Sequence, residues 1–402
     1  MTTRCANQFA ALLFAVILAA ASSGVARQPE KGNVHFRGSL NNSRAQFEKN
    51  KTGHVAFIGG SITEMNGYRP MVCEILKRRF PQTQFTFTDA GISSTCSTTG
   101  AFRLQRDVLG KGPVDLFFVE FAVNDDQDAA HARRECIRGM EGIILQTRRH
   151  NPNADIVITH FVNEGMVKTI QGGATPLSSG SHEEVARHYG VSTIDLAREV
   201  AEQIAAGTLT WQKFGGTHPA PFGNALCAGM IDQLMNTAWS KPLSADARKL
   251  PHPMPPQPLD ANNYGRGRFV DPTDAQLLGG WALHVPDWKE LPGGCRGRFA
   301  KETLLCADEL GAELTLKFNG TAVGAYVLAG PDAGIVEASI DGAAPKQLDL
   351  FHRYSRGLHY PRTVVFDADL EPGEHVLKLR MTDKNSKQSS GHAMRIVKFA
   401  VN

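Results

Sequence analysis

Four residues of the 402-residue chain stand where short apolar runs give way to turns: Ser61 in HVAFIGGSIT, Gly91 in QFTFTDAG, Asn124 in DLFFVEFAVND and His218 in GGTHP. A serine hydroxyl at the end of a buried strand attacks a carbonyl once a base takes its proton, and histidine is the side chain suited to that near neutral pH. A glycine amide and an asparagine side-chain N–H beside the serine amide can surround the negative oxygen that such an attack creates. Together these residue types support acyl transfer through a serine nucleophile. Taken singly, each has a plain structural reading. Ser61 reads equally well as the cap of a strand-to-helix turn, Gly91 as a tight turn, Asn124 as a helix cap and His218 as a loop residue. The joint pattern, in this order, favours catalysis.

The elements that must position these residues follow from hydrophobic period. Val55 to Ile58 form an apolar run without polar alternation, as in a parallel strand covered on both faces, and Gly59-Gly60 allow a sharp turn that leaves Ser61 at its carboxyl end. From Gly53 to Trp239 five such runs alternate with helical candidates at Tyr68 to Phe80, Glu135 to Arg149, Glu183 to His188 and Leu196 to Ala206. This predicts an α/β fold: a doubly wound, five-stranded parallel sheet of the flavodoxin-like three-layer kind, whose strand ends bind ligands.

The proline cluster Pro251 to Pro258 cannot continue a helix and reads as a linker. Beyond it, short alternating runs with turns such as Asp341-Gly342 predict an all-β sandwich or jelly roll. The expected boundaries are 53–240 for the α/β domain, 241–262 for the linker and 263–402 for the sandwich. Trp281, Trp288, Tyr354, His359 and Tyr360 have the chemistry to stack on sugars, but aromatics in a sandwich are more simply core.

The four blocks resemble those of the SGNH (GDSL-like) hydrolase superfamily, over roughly half the chain. The resemblance implies Ser61 as nucleophile, His218 as general base, and the Ser61 amide, Gly91 amide and Asn124 side chain as the oxyanion hole. One departure stands out: the family's aspartate three residues before the histidine is replaced by Gly215. Either His218 works in a Ser–His dyad or another carboxylate substitutes. Asp195 is the candidate, although Asp195 before a helix is more simply an N-cap, and the dyad is favoured. Exported members with an attached sandwich resemble carbohydrate esterases, which implies removal of O-acetyl groups from a polysaccharide or oligosaccharide. Alternatives are a lipase or general esterase, a sulfatase-like or acyltransferase variant, and a noncatalytic glycan-binding protein.

Arg4, the apolar stretch Phe9 to Ala21 and small residues near Ala26 form a secretory signal pattern, so residues 1–26 are expected to be removed and the protein to be secreted or periplasmic, with no membrane attachment afterwards. That leaves six cysteines, of which Cys295 and Cys306 are the expected disulfide pair. A net charge of +3, with the basic residues scattered, excludes nucleic acid as a natural partner. No cysteine or histidine spacing matches a metal motif, so neither metal nor cofactor is expected. Asp125, Asp126 and Asp128 lack the spacing of a calcium loop and read as a solvated acidic run, and Glu64 with Arg69 as a helix-surface charge pair.

Overall fold

The computed structural model describes residues 32–402, so the expected signal segment lies outside the described residues. The first sheet contains β1 (Val34–His35), β2 (Thr52–Gly59), β3 (Gln84–Gly91), β4 (Leu116–Glu120), β5 (Asp155–Thr159) and β6 (Ser192–Ile194), in the order β1-β6-β5-β4-β2-β3. The five expected strands are parallel, and β1 adds an antiparallel edge upstream of the expected boundary. At two residues β1 is too short to leave a periodic signal. Chain order reverses between β2 and its neighbours β3 and β4, which opens the crevice where doubly wound sheets bind ligands.

Residues of β2 alternate between two apolar layers. Val55 and Phe57 pack with α1 (Asn41–Lys49), α3 (Tyr68–Arg79), α8 (Leu196–Ala205) and α10 (Pro221–Ala238). Ala56 and Ile58 face α4 (Ser97–Asp107), α5 (Arg133–His150) and α7 (Leu177–His188). All four strand residues are fully buried, as an all-apolar run requires. Among the helices not expected are α1, α4 and α6 (Glu164–Gln171); α4 opens with Ser-Thr-Thr-Gly, a weak helix former rescued by packing.

After residue 262 two antiparallel sheets pack face to face. One has the order β15-β12-β17-β10-β9 with β7 also on β17, and the other β14-β13-β16-β11-β8. The strands are β7 (Arg268–Val270), β8 (Gln276–Gly279), β9 (Ala282–His284), β10 (Leu304–Ala307), β11 (Glu313–Gly320), β12 (Val323–Ala329), β13 (Gly334–Ile340), β14 (Lys346–Asp349), β15 (Tyr360–Asp367), β16 (Gly373–Asn385) and β17 (Met394–Val401). Alternate residues such as Leu314, Leu316, Leu377 and Leu379 fill the space between them. Asp341 and Gly342 both adopt positive φ (53° and 77°), the turn that an Asp-Gly pair specifies after β13. Cys295 and Cys306 are free thiols against the core around Leu304 and Tyr326, which corrects the expected disulfide.

The segment 241–262 runs as a strap along the α/β layers. Asn42 exchanges hydrogen bonds with the Leu250 backbone (both 2.8 Å), His252 Nε2 meets Asp155 (2.8 Å), and the Leu259 and Asp260 amides donate to buried Glu141. The apolar layer under α4 and α5 continues into Tyr264, Ala322 and Ala400.

Arg103 on α4 ties the strand ends together. Its fully buried guanidinium donates to the Ala90 carbonyl (2.7 Å), the Gly59 carbonyl (3.0 Å) and Asp107 (3.0 Å). Removing one partner of such a buried charged network is costly. Arg103→Met is expected to lower the unfolding free energy by about 3 kcal/mol in chemical denaturation. Arg106→Met, at the partly exposed partner of Asp107, is expected to change it by less than about 1 kcal/mol.

Candidate active site

Ser61 opens the single-turn helix α2 (Ser61–Glu64) directly after β2, with Gly60 as N-cap and no side-chain capping bond. Its hydroxyl is therefore not spent as a cap. It lies 2.8 Å from His218 Nε2, at the surface of the crevice. His218 projects from the loop between α9 (Trp211–Phe214) and α10, and Asn224 of α10 fixes that loop. The buried Asn224 amide nitrogen donates to the carbonyls of Pro219 (2.6 Å) and Ala220 (3.1 Å), while its oxygen accepts from the Tyr68 amide at the start of α3 (2.8 Å). One side chain thus holds the His218 loop at a set distance from the helix that follows the Ser61 turn.

Gly215 has φ of 107°, and a Cβ there would overlap the Ala220 amide nitrogen. The position of the missing aspartate is one only glycine fits. Asp195 is not its substitute, since its carboxylate caps α8 by accepting from the Arg198 amide (3.0 Å). Among the described residues no carboxylate bonds to His218.

Asn124 starts a π-turn (Asn124–Asp128) after β4 and packs against Gly60, where a Cβ would strike its side-chain amide. One hydrogen of its amide nitrogen goes to Asp128 and the second remains available. Gly91 pairs with Gly59 across the sheet and approaches the Glu64 backbone closely, but its amide donates to Asp89 Oδ1 (3.0 Å). Asp89 is in turn held by Arg69 (2.7 Å). The structure thus brings Ser61, His218 and Asn124 together and gives the Gly91 amide another partner. The acidic run is not a solvated loop: Asp125 is buried and accepts from the Ser97 amide and hydroxyl and from His182, Asp126 accepts from Asn163, and Asp128 from Asn124. Glu64 and Arg69 do not pair with each other either. Glu64 binds Ser93 and Arg298 instead.

The sandwich reaches the segments beside Ser61. Arg296 donates to the Ser93 carbonyl (2.9 Å) and the Ser94 hydroxyl (2.8 Å), and Arg298 to Glu64 (2.9 Å). His352 Nε2 meets the Asp128 carbonyl (2.7 Å), and Arg353 donates to that of Gln127. Ser94, a non-glycine residue at φ 72°, is held from this side. Of the sandwich aromatics, Trp281, His359 and Tyr360 are buried and Tyr354 is exposed.

Sequence reasoning passed over Glu120, the one charge inside the apolar run of β4. It is fully buried beneath the Ser61 turn, accepts from Thr63 Oγ1 (3.3 Å), and has one oxygen without a partner. Burial, with Asp125 and Asp128 nearby, pushes its carboxyl up to about 8 from the ordinary 4.5.

Two outcomes follow. Because the folded chain holds the Glu120 proton more tightly than the unfolded chain, stability falls as pH rises from about 4.5 to about 8 and levels above that. Glu120→Gln is expected to remove this decline, gaining about 2 kcal/mol or more over the parent across that window in denaturation series at several pH values. Gly215→Asp, which restores the family's acid in type only, is expected to cost roughly 1–3 kcal/mol of stability through its forced φ and to raise no activity toward acetyl esters.

Residues 57–226 match the model of the GDSL-like Lipase/Acylhydrolase family. No curated protein matches the chain. Among solved structures, a two-domain esterase (CEX) active on acetylated mannans has a TM-score of 0.73 at 22% identity, over 92% of this chain and 97% of that one. The same esterase co-crystallised with mannopentaose gives the same score and identity over 92% and 96%. Axe2, an acetylxylan esterase from Geobacillus stearothermophilus, has a TM-score of 0.39 at 16% identity over 48% of this chain and 97% of that one. The likeness to CEX spans both the α/β layers and the sandwich and shows a shared fold. With Ser61, Asn124 and His218 all inside the matched segment, residues 57–226 belong to the GDSL-like lipase/acylhydrolase family, the SGNH hydrolases.

Proposed function

We propose that this protein is an exported serine ester hydrolase that removes O-acetyl groups from a polysaccharide. The observation that carries the reading is the 2.8 Å contact between Ser61 Oγ and His218 Nε2 at the carboxyl end of β2. His218 takes the hydroxyl proton as Ser61 attacks the ester carbonyl. The Ser61 amide and the second Asn124 N–H receive the oxyanion. Collapse expels the sugar hydroxyl, which takes the proton back from His218, and water activated by the same imidazole releases acetate. His218 works as the base of a dyad, oriented by its loop rather than by a carboxylate. Residues 53–240 carry this chemistry, with 241–262 as strap and 263–402 as the wall that shapes it.

The substrate class draws support from two sides. His218 is exposed and Ser61 half-buried, so the pair meets solvent rather than the floor of a deep apolar tunnel, which suits a small acyl group on a bulky polar polymer. The solved structure that shares this fold over both layers, CEX, is a two-domain esterase active on acetylated mannans.

Acetate release from a panel of acetylated mannans, xylans and other glycans tests this. The parent is expected to release acetate, and Ser61→Ala and His218→Ala to lose roughly a thousandfold or more in kcat. Equal release by parent and Ser61→Ala would remove Ser61 from the mechanism. Faster turnover of long-chain acyl esters would instead mark a lipase, and glycan binding without turnover in the parent a binding protein.

A further inference from the structure

Behind the Asn124 turn, Cys96 converges with two residues that follow β4, Asp125 and His131. The Sγ of Cys96, at the N-cap of α4, a carboxylate oxygen of Asp125 and a ring nitrogen of His131 all lie within 4.8 Å of one another. Asp125 Oδ1 and His131 Nδ1 are 3.6 Å apart, too far for a good hydrogen bond, and His131 Nδ1 is buried with no hydrogen-bond partner. The separation is close to the edge of a tetrahedron built on metal–nitrogen and metal–oxygen distances of about 2.0–2.2 Å, roughly 3.3–3.6 Å. Asp125 is oriented by its other contacts. Its Oδ1 accepts from the Ser97 amide (2.7 Å), and its Oδ2 from the Ser97 hydroxyl (2.6 Å) and His182 Nε2 (2.9 Å). A carboxylate has about four lone-pair sites, and the one left unspent belongs to the oxygen nearest His131.

We propose that Cys96, Asp125 and His131 form a binding site for a thiophilic divalent cation of the zinc class. A thiolate, an imidazole and a carboxylate are the donor types such an ion prefers. Ser97 and His182 hold the carboxylate ligand from outside the coordination sphere, as outer partners of metal ligands do. Cys136 lies with Asp125 and His182 in a second group, but there the carboxylate oxygen is already spent on His182, so those residues back the site rather than complete it. The fourth position faces a cavity of about 580 Å³ between the α/β layer and β15. Cys96 and His131 line it together with Asp128, Tyr360 and Arg362, which gives the ion a path in and room for a water ligand. The site stands apart from Ser61 and does not depend on the esterase reading.

Metal content of the full-length protein, freed of metal by a chelator and then dialysed against Zn2+ or Co2+, tests this. The parent is expected to retain about one equivalent of either ion, and the Co2+ form to show the near-ultraviolet charge-transfer band of a thiolate ligand. Cys96→Ser should abolish that band. Cys96→Ser and His131→Gln should each weaken binding at least tenfold, and Ser97→Ala tenfold to a hundredfold. Circular dichroism of the metal-free variants separates lost ligation from lost folding. The proposal is overturned if the parent retains no ion at micromolar concentration, if folded Cys96→Ser binds as tightly as the parent, or if mass spectrometry finds Cys96 in a disulfide with Cys136.

Discussion

Gly59 lies in register with Gly91 on one side and with Glu120 on the other, and the rest of the site depends on that alignment. Parallel pairing brings the ends of β2, β3 and β4 to one level, so the residues that follow each strand emerge side by side. The packing there leaves no room for a larger residue at the centre. A Cβ on Gly59 would strike Thr63 and Glu120, and one on Gly60 would strike Asn124. Arg103 then joins the carbonyls of Gly59 and Ala90 from below. The Ser61 turn is therefore defined by backbone register and a buried cation before the side chains of Ser61, Asn124 and His218 are placed.

That logic explains which parts were legible in the sequence. Apolar runs such as VAFI and LFFV announce buried parallel strands, because both faces of the sheet need cover, and the glycines and polar residues that end them mark the crevice. Ser61, Asn124 and His218 were legible for this reason, each next to a strand end or before the closing helix. The partner of Gly91 was not. Whether its amide is free depends on Asp89, two residues back, and Asp89 on Arg69, a contact between α3 and β3 that no local pattern encodes. The acidic run misled for a related cause. Three aspartates in five residues suggest solvent, yet Asp125 and Asp126 receive donors from other elements, His182 and Asn163, and Asp128 receives Asn124 of its own turn, which makes their partial or full burial tolerable. Glu120 did leave a signal, a lone charge in an apolar strand, whose meaning appears only with the turn above it.

The sandwich is more than an appended module. The strap from 241 to 262 is hydrogen-bonded along the helices it crosses, and the apolar layer beneath α4 and α5 runs on into Tyr264 and Ala400. From that base, Arg296 reaches the loop after β3 and Arg298 reaches Glu64 on α2, while His352 and Arg353 reach the turn after β4. Those two loops are the ones that flank Ser61. Asp128, which holds Asn124, has its own carbonyl held by His352, so the orientation of the Asn124 side chain is set partly from the second half of the chain.

The absence of an aspartate beside His218 is then less a defect than a change in what orients the imidazole. In a triad the carboxylate fixes the imidazole directly and stabilises its charge. Here the ring is placed through its backbone: Gly215 turns the chain at a φ closed to other residues, Ala220 bonds back to the Phe214 carbonyl, and Asn224 clamps Pro219 and Ala220 to the start of α3. Position is thereby retained, while the charge stabilisation a carboxylate gives the imidazolium is forgone. An exposed imidazole recovers part of that stabilisation from water, since a charge at the surface is solvated where a buried one is not. The openness of the Ser61–His218 pair and the missing acid are two aspects of one arrangement.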